Sequence, residues 1–151
     1  MTKKTVLELT DARFLTEANG DVMNFVQRGN SSAHSDVGSV LIALGKSCPG
    51  AHFYSPSFAS CMFVVLHTVD NLIFGVAFGQ RGLAFRFSTG WLAAACDDGG
   101  IPAPAIGPQW IAFPPFDASG QWGTHERLQG WCARAFADAE TAGALERRRQ
   151  E

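Results

Sequence analysis

Two observations predict an α+β fold. Both ends of the chain carry apolar residues at helical spacing, and the middle third carries three apolar runs, rich in β-branched and aromatic residues, separated by short turn-like links. The expected architecture is a four-stranded, mainly antiparallel sheet, a meander plus one returning strand, with helices packed on one face.

Taken in order, Thr10 to Gln27 sets Phe14, Leu15, Ala18, Val22, Phe25 and Val26 on one side of an amphipathic helix, with Thr10 as its cap. Gly20 lies inside this pattern at a cost of about 1 kcal/mol relative to alanine, which predicts a bend or break near Asn19. A second helix follows the loop Gly29, Asn30, Ser31, Ser32: Ser35 caps it, Val37, Val40, Leu41 and Leu44 form its stripe, and Gly45 stops it. Pro49, Gly50, Ser55, Pro56 and Ser57 then interrupt any regular pattern and leave a short extended piece at His52 to Tyr54.

CMFVVLHT, NLIFGVAF and LAFRFS follow as three strands of a meander, linked at Val69-Asp70-Asn71 and Gly79-Gln80-Arg81-Gly82. Gly75, inside the second of them, marks a bulge or a close approach. In the third, Leu83, Phe85 and Phe87 alternate with Ala84, Arg86 and Ser88, giving one buried and one partly polar side. TGWLAAAC reads as a short helix ended by Asp97, Asp98, Gly99 and Gly100, and the prolines of IPAPAIGPQ exclude a helix there. WIAF, residues 110 to 113, is a fourth strand placed at an edge by Pro114 and Pro115. From Thr124 a last helix carries Leu128, Trp131, Cys132, Ala135, Phe136 and Ala139 on one face, frays at Gly143 and leaves residues 146–151 as an exposed charged tail.

At 151 residues the chain has the size of one domain, spanning 1–151, and 46% hydrophobic against 17% charged residues gives it ample material for a core. A net charge of −2 supplies no global attraction to nucleic acid or anionic lipid, so such binding would need a local basic patch. Arg81 with Arg86, and Arg147 to Arg149, are the local concentrations. No apolar run of signal-peptide or membrane-spanning length is present, which makes a cytoplasmic protein without a membrane partner the expectation.

The residues that carry chemistry are dispersed. The four cysteines, Cys48, Cys61, Cys96 and Cys132, never form C-x-x-C; three lie in apolar contexts that bury them, and Cys48, between Ser47 and Pro49, is the one expected to be exposed and the one to test for reactivity. His34, His52, His67 and His125 lack H-x-x-x-H and H-E-x-x-H spacing, so no metal is expected, and His67 reads as a histidine with a satisfied hydrogen bond. Asp97 and Asp98 before two glycines read as a solvated turn. No G-x-S-x-G elbow and no nucleotide-binding motif occurs, so neither a catalytic residue nor a cofactor is assigned.

The stretch GQRGLAFRF, residues 79 to 87, shares Arg81, Gly82, Ala84 and Phe85 with the RNA-binding RNP1 pattern, yet Leu83 and Ser88 stand where aromatics would stack bases. A phosphate-binding loop would lead from strand into helix, whereas this one leads from strand to strand. The glycines therefore serve a hairpin turn. Trp91, Trp110, Phe113, Phe116 and Trp122 crowd a region poor in charge, and those beside the prolines point to an apolar binding surface.

Read together, VDNLIFGVAFGQRGLAFRF, a short helix, a proline-bearing loop, WIAF and LQGWCARAFADA resemble the small domain of the TfoX N-terminal and YjbR-like families, over residues 60 to 142. The likeness rests on the order of elements, with Asp70 and Asn71 at the first turn and Arg81 to Phe87 in the strand. The two N-terminal helices and a slightly acidic chain depart from that pattern. The resemblance implies a non-enzymatic bacterial domain, some of whose relatives are regulatory or nucleic-acid-associated.

Three functions are thus expectations. The first is a small binding protein, an adaptor, regulator or immunity-like inhibitor, that engages a protein partner or a second copy of itself through an apolar, aromatic surface at Trp110, Phe113, Phe116 and Trp122 or the outer sheet face. The second is a nucleic-acid-associated regulator acting through Arg81 and Arg86, and the third an enzyme or small-ligand binder with a pocket between sheet and helices, involving His67 or Asp97.

Overall fold

A computed structural model describes residues 12–28, 33–55, 64–80, 82–117, 119–123 and 126–150. Arg81 and Cys61, with the predicted cap Thr10, lie outside the described residues.

The first predicted helix is interrupted where glycine placed the break. Two single 3-10 turns, Ala12–Phe14 and Glu17–Asn19, precede α1 (Gly20–Gln27). The second helix, α2 (Ser35–Lys46), is capped one residue earlier than expected: the His34 ring accepts the Asp36 N–H through Nδ1 at 3.1 Å.

The extended piece His52–Tyr54 is a strand, β1, and the meander follows as β2 (Val64–His67), β3 (Ile73–Phe78) and β4 (Gly82–Arg86). The register shifts where Leu66 pairs with Gly75 and His67 with Ile73, so Phe74 is the extra residue of a bulge beside Gly75. The GQRG link is a hairpin turn: Phe78 pairs with Gly82, and Gly79 takes φ +62° to reverse the chain. A 3-10 turn, Thr89–Trp91, leads into α3 (Leu92–Asp97), then β5 (Ile101–Pro102), β6 (Trp110–Ala112) and the long α4 (Glu126–Gln150).

The sheet therefore has six strands, not four, in the order β1-β2-β3-β4-β6-β5, with every pairing antiparallel. Two expectations are corrected. WIAF is not at the edge, because Ile101 and Pro102 pair with Ala112 and Ile111 and cover it. A proline is admissible on the outermost strand, where its missing N–H breaks no ladder. The last helix does not fray at Gly143, since α4 runs through it to Gln150.

The larger correction concerns layers: apolar segments cover both faces of the sheet, not one. On the first face Leu66, Phe74, Leu83, Phe85, Ile111 and Phe113 meet Val37, Leu41 and Leu44 of α2 and Leu128, Cys132 and Ala135 of α4. Gly45 permits the close approach of α2, since a Cβ there would lie 2.6 Å from a Leu66 methyl. On the second face Val65, Ile73, Val76, Ala84 and Trp110 meet Phe14, the α1 residues Val22, Met23, Phe25 and Val26, and Ile106 from the proline-rich loop. Strand alternation sorts the side chains between the faces, as with Val64 and Leu66 against Val65. The face read as partly polar at Ala84 and Arg86 is thus roofed by the N-terminal segment.

Candidate functional site

A groove where large aromatics and charges meet lies at the junction of the Thr89–Trp91 turn, the end of α3 and the first three turns of α4. It has a volume of about 400 Å³ and is lined by Trp91, Asp98, Glu126, Arg127, Gly130, Trp131 and Arg134. Residues 127, 130, 131 and 134 line it because helical spacing of three and four brings them onto one face of α4.

Each aromatic is held. Trp131 is half-buried; its ring stacks on Phe113 at 6.0 Å and meets Phe87 edge-on at 5.5 Å, while its Nε1 donates to Asp98 Oδ2 at 2.7 Å. Asp98 also faces Arg127 Nε at 3.7 Å. The Asp97-Asp98 pair read as a solvated turn therefore contributes one carboxylate to fixing the groove.

Trp91 is 38% exposed, one of the most open large aromatics described, and packs edge-on against Trp131 at 6.2 Å. The Arg134 guanidinium lies 4.8 Å from its ring centre. Arg134 in turn pairs with Asp138 at 3.0 Å, and Asp138 accepts the Ser88 N–H at 2.9 Å and the Ser88 hydroxyl at 3.1 Å. Ser88 precedes the turn that carries Trp91, so one helix of α4 side chains orients the indole from its backbone and from its face.

The sequence-predicted site residues are dispersed by the fold. Trp110 and Phe113 are each 2% exposed and belong to opposite faces of the sheet, which makes them core residues and not surface contacts. Phe113 nevertheless backs the groove through its stacking on Trp131. Phe116 and Trp122 form their own small pair, with ring centres 6.2 Å apart and a β-bridge between them; Trp122 is exposed. Arg86 is turned inward: its guanidinium donates to the Ala18 carbonyl at 3.1 Å and approaches Gln109 Oε1 at 3.5 Å. Burial lowers its pKa and the Asp21 carboxylate opposes that shift. Arg81 lies outside the described residues.

His67 meets the expectation of a satisfied histidine, with Nδ1 2.9 Å from the Thr68 carbonyl, and its ring stacks on His52 across the β1–β2 pair at 5.5 Å. Burial lowers its pKa most, with a lesser push from His52 and Arg13. Among the described residues no group of three or more His, Cys, Asp or Glu is placed to hold a metal ion. None of the described helices is long and apolar enough to cross a membrane.

The groove residues Trp91, Asp98, Arg127, Trp131 and Arg134 escaped sequence reasoning as a set. Trp131 and Asp98 were visible singly, but no spacing rule joins positions 33 residues apart. Compared with protein-family models, with curated proteins and with solved structures, the chain matches none.

Proposed function

We propose that the chain is a non-enzymatic binding protein, an adaptor, regulator or inhibitor, that takes a segment of a protein partner into the groove between the Thr89–Trp91 turn and α4. The observation that carries this reading is Trp91, exposed yet held in place by Arg134 and Trp131. Tryptophan and arginine are the side chains most enriched at binding hot spots, and an indole oriented before contact loses little freedom on binding. We propose too that residues 60–142 are related to the TfoX N-terminal and YjbR-like domains, on the shared order of meander, short helix, returning strand and closing helix.

The test compares the protein with Trp91→Ala in quantitative capture from a lysate of the source organism, followed by a binding titration with the purified captured protein and by sedimentation for self-association. At least a tenfold loss of affinity is expected in the variant, about 1.4 kcal/mol, with an unchanged urea midpoint. Capture and self-association both indifferent to Trp91 would sink the reading.

A further inference from the structure

Cys48 was expected to be exposed, and the fold places it elsewhere. It is 5% exposed and its sulfur lies 3.8 Å from that of Cys132, which is fully buried. The two come from the loop that follows α2 and from the second turn of α4, the two helices that share one face of the sheet. Cys96, the other described cysteine, is half-buried and makes no such contact among the described residues.

We propose that Cys48 and Cys132 form a redox site, a dithiol that a hydroperoxide converts to a disulfide bridging the loop after α2 to α4. The distance is that of two sulfurs in van der Waals contact, and an approach of about 1.8 Å would bring them to the S–S bond length of about 2.0 Å. Such an approach is within reach of side-chain rotation and a small loop adjustment.

The pair is asymmetric in a way that assigns roles. The hydrogen bond from Cys132 lowers the Cys48 pKa to about 7 against the opposing effect of burial, with Ser47 assisting, whereas the same contact and burial raise that of Cys132. Cys48 is thus the attacking thiolate and Cys132 the resolving thiol. In the first step the Cys48 thiolate attacks one peroxide oxygen, the O–O bond breaks, and Cys48 sulfenic acid and hydroxide form. In the second step the Cys132 sulfur attacks the sulfenic sulfur, the S–O bond breaks and water leaves with the thiol proton. Two thiols and one hydrogen peroxide give one disulfide and two waters.

The experiment treats the full chain with one equivalent of hydrogen peroxide, blocks remaining thiols after unfolding, and maps the peptides without reduction. A Cys48–Cys132 linked peptide is expected as the main oxidised product, lost again on dithiothreitol, and the oxidised protein should melt at a higher temperature than the reduced. In Cys132→Ser, which keeps a hydrogen-bond donor beside Cys48 but lacks the resolving sulfur, the reaction should halt at a Cys48 sulfenic acid that dimedone traps. The wild-type map stands even if that variant does not fold. Both thiols recovered free, Cys48 oxidised without a link, or a link to Cys61 or Cys96 in its place would each overturn the proposal.

Discussion

Asn19 is fully buried and uses its whole amide. Its Nδ2 donates to the carbonyls of Phe14, at 3.1 Å, and Asn71, at 2.8 Å, and its Oδ1 accepts the Ile73 N–H at 2.9 Å. One side chain thereby ties the N-terminal segment to the β2–β3 turn, where Asn71 itself sits at φ +64°. Asn19→Ala leaves a buried backbone donor and two carbonyls without these partners, so a loss of about 3 kcal/mol is expected in urea unfolding; a loss below about 1 kcal/mol would mean that water takes over the bonds. The sequence marked Asn19 only as the place where a helix breaks. Its contacts with Asn71 and Ile73 span more than fifty residues, and no local pattern records a pairing of that range.

Among the elements, α4 is the one whose role the sequence stated most fully. Of the stripe Leu128, Trp131, Cys132, Ala135, Phe136 and Ala139 predicted from spacing, all but the half-buried Trp131 are buried. Leu128→Ala removes a fully buried side chain beneath the groove, and about 3 kcal/mol of destabilisation is expected. Leu145→Ala, at a position 52% exposed on the same helix, should stay within about 0.5 kcal/mol. Equal midpoints for the two variants would contradict the packing described. The strands were legible for a related reason: period-two alternation and turn glycines are properties of neighbouring residues. β5 was not legible, because two residues with a proline among them carry no strand pattern, and only the partner strand makes them one.

The molecule as a whole is held as a sheet roofed on both sides, and its acid response follows from one residue inside it. His67 has its pKa lowered from 6.5 by burial, so around and below that pH the unfolded chain binds a proton that the folded chain refuses. The unfolded state then holds more protons, stability rises with pH across the window between the folded and unfolded values, and acidification through 6.5 costs stability. The expected result is a lower urea midpoint at pH 5 than at pH 7.5, with the difference reduced in His67→Gln. An undiminished difference in that variant would assign the effect to the carboxylates.

By itself the sequence determined the α+β class, the antiparallel meander, the hairpin at Gly79 and the buried stripe of α4, since each is set by the backbone preferences and apolar spacing of adjacent residues. Only the tertiary structure decided that Trp110 and Phe113 are core, that Arg86 is engaged within the chain, that Trp91 and Trp131 share a groove and that Cys48 touches Cys132 across 84 residues. The physical reason is that burial and contact belong to the packing of both sheet faces at once, and a side chain's neighbours across a layer leave no periodic trace along the chain that bears it.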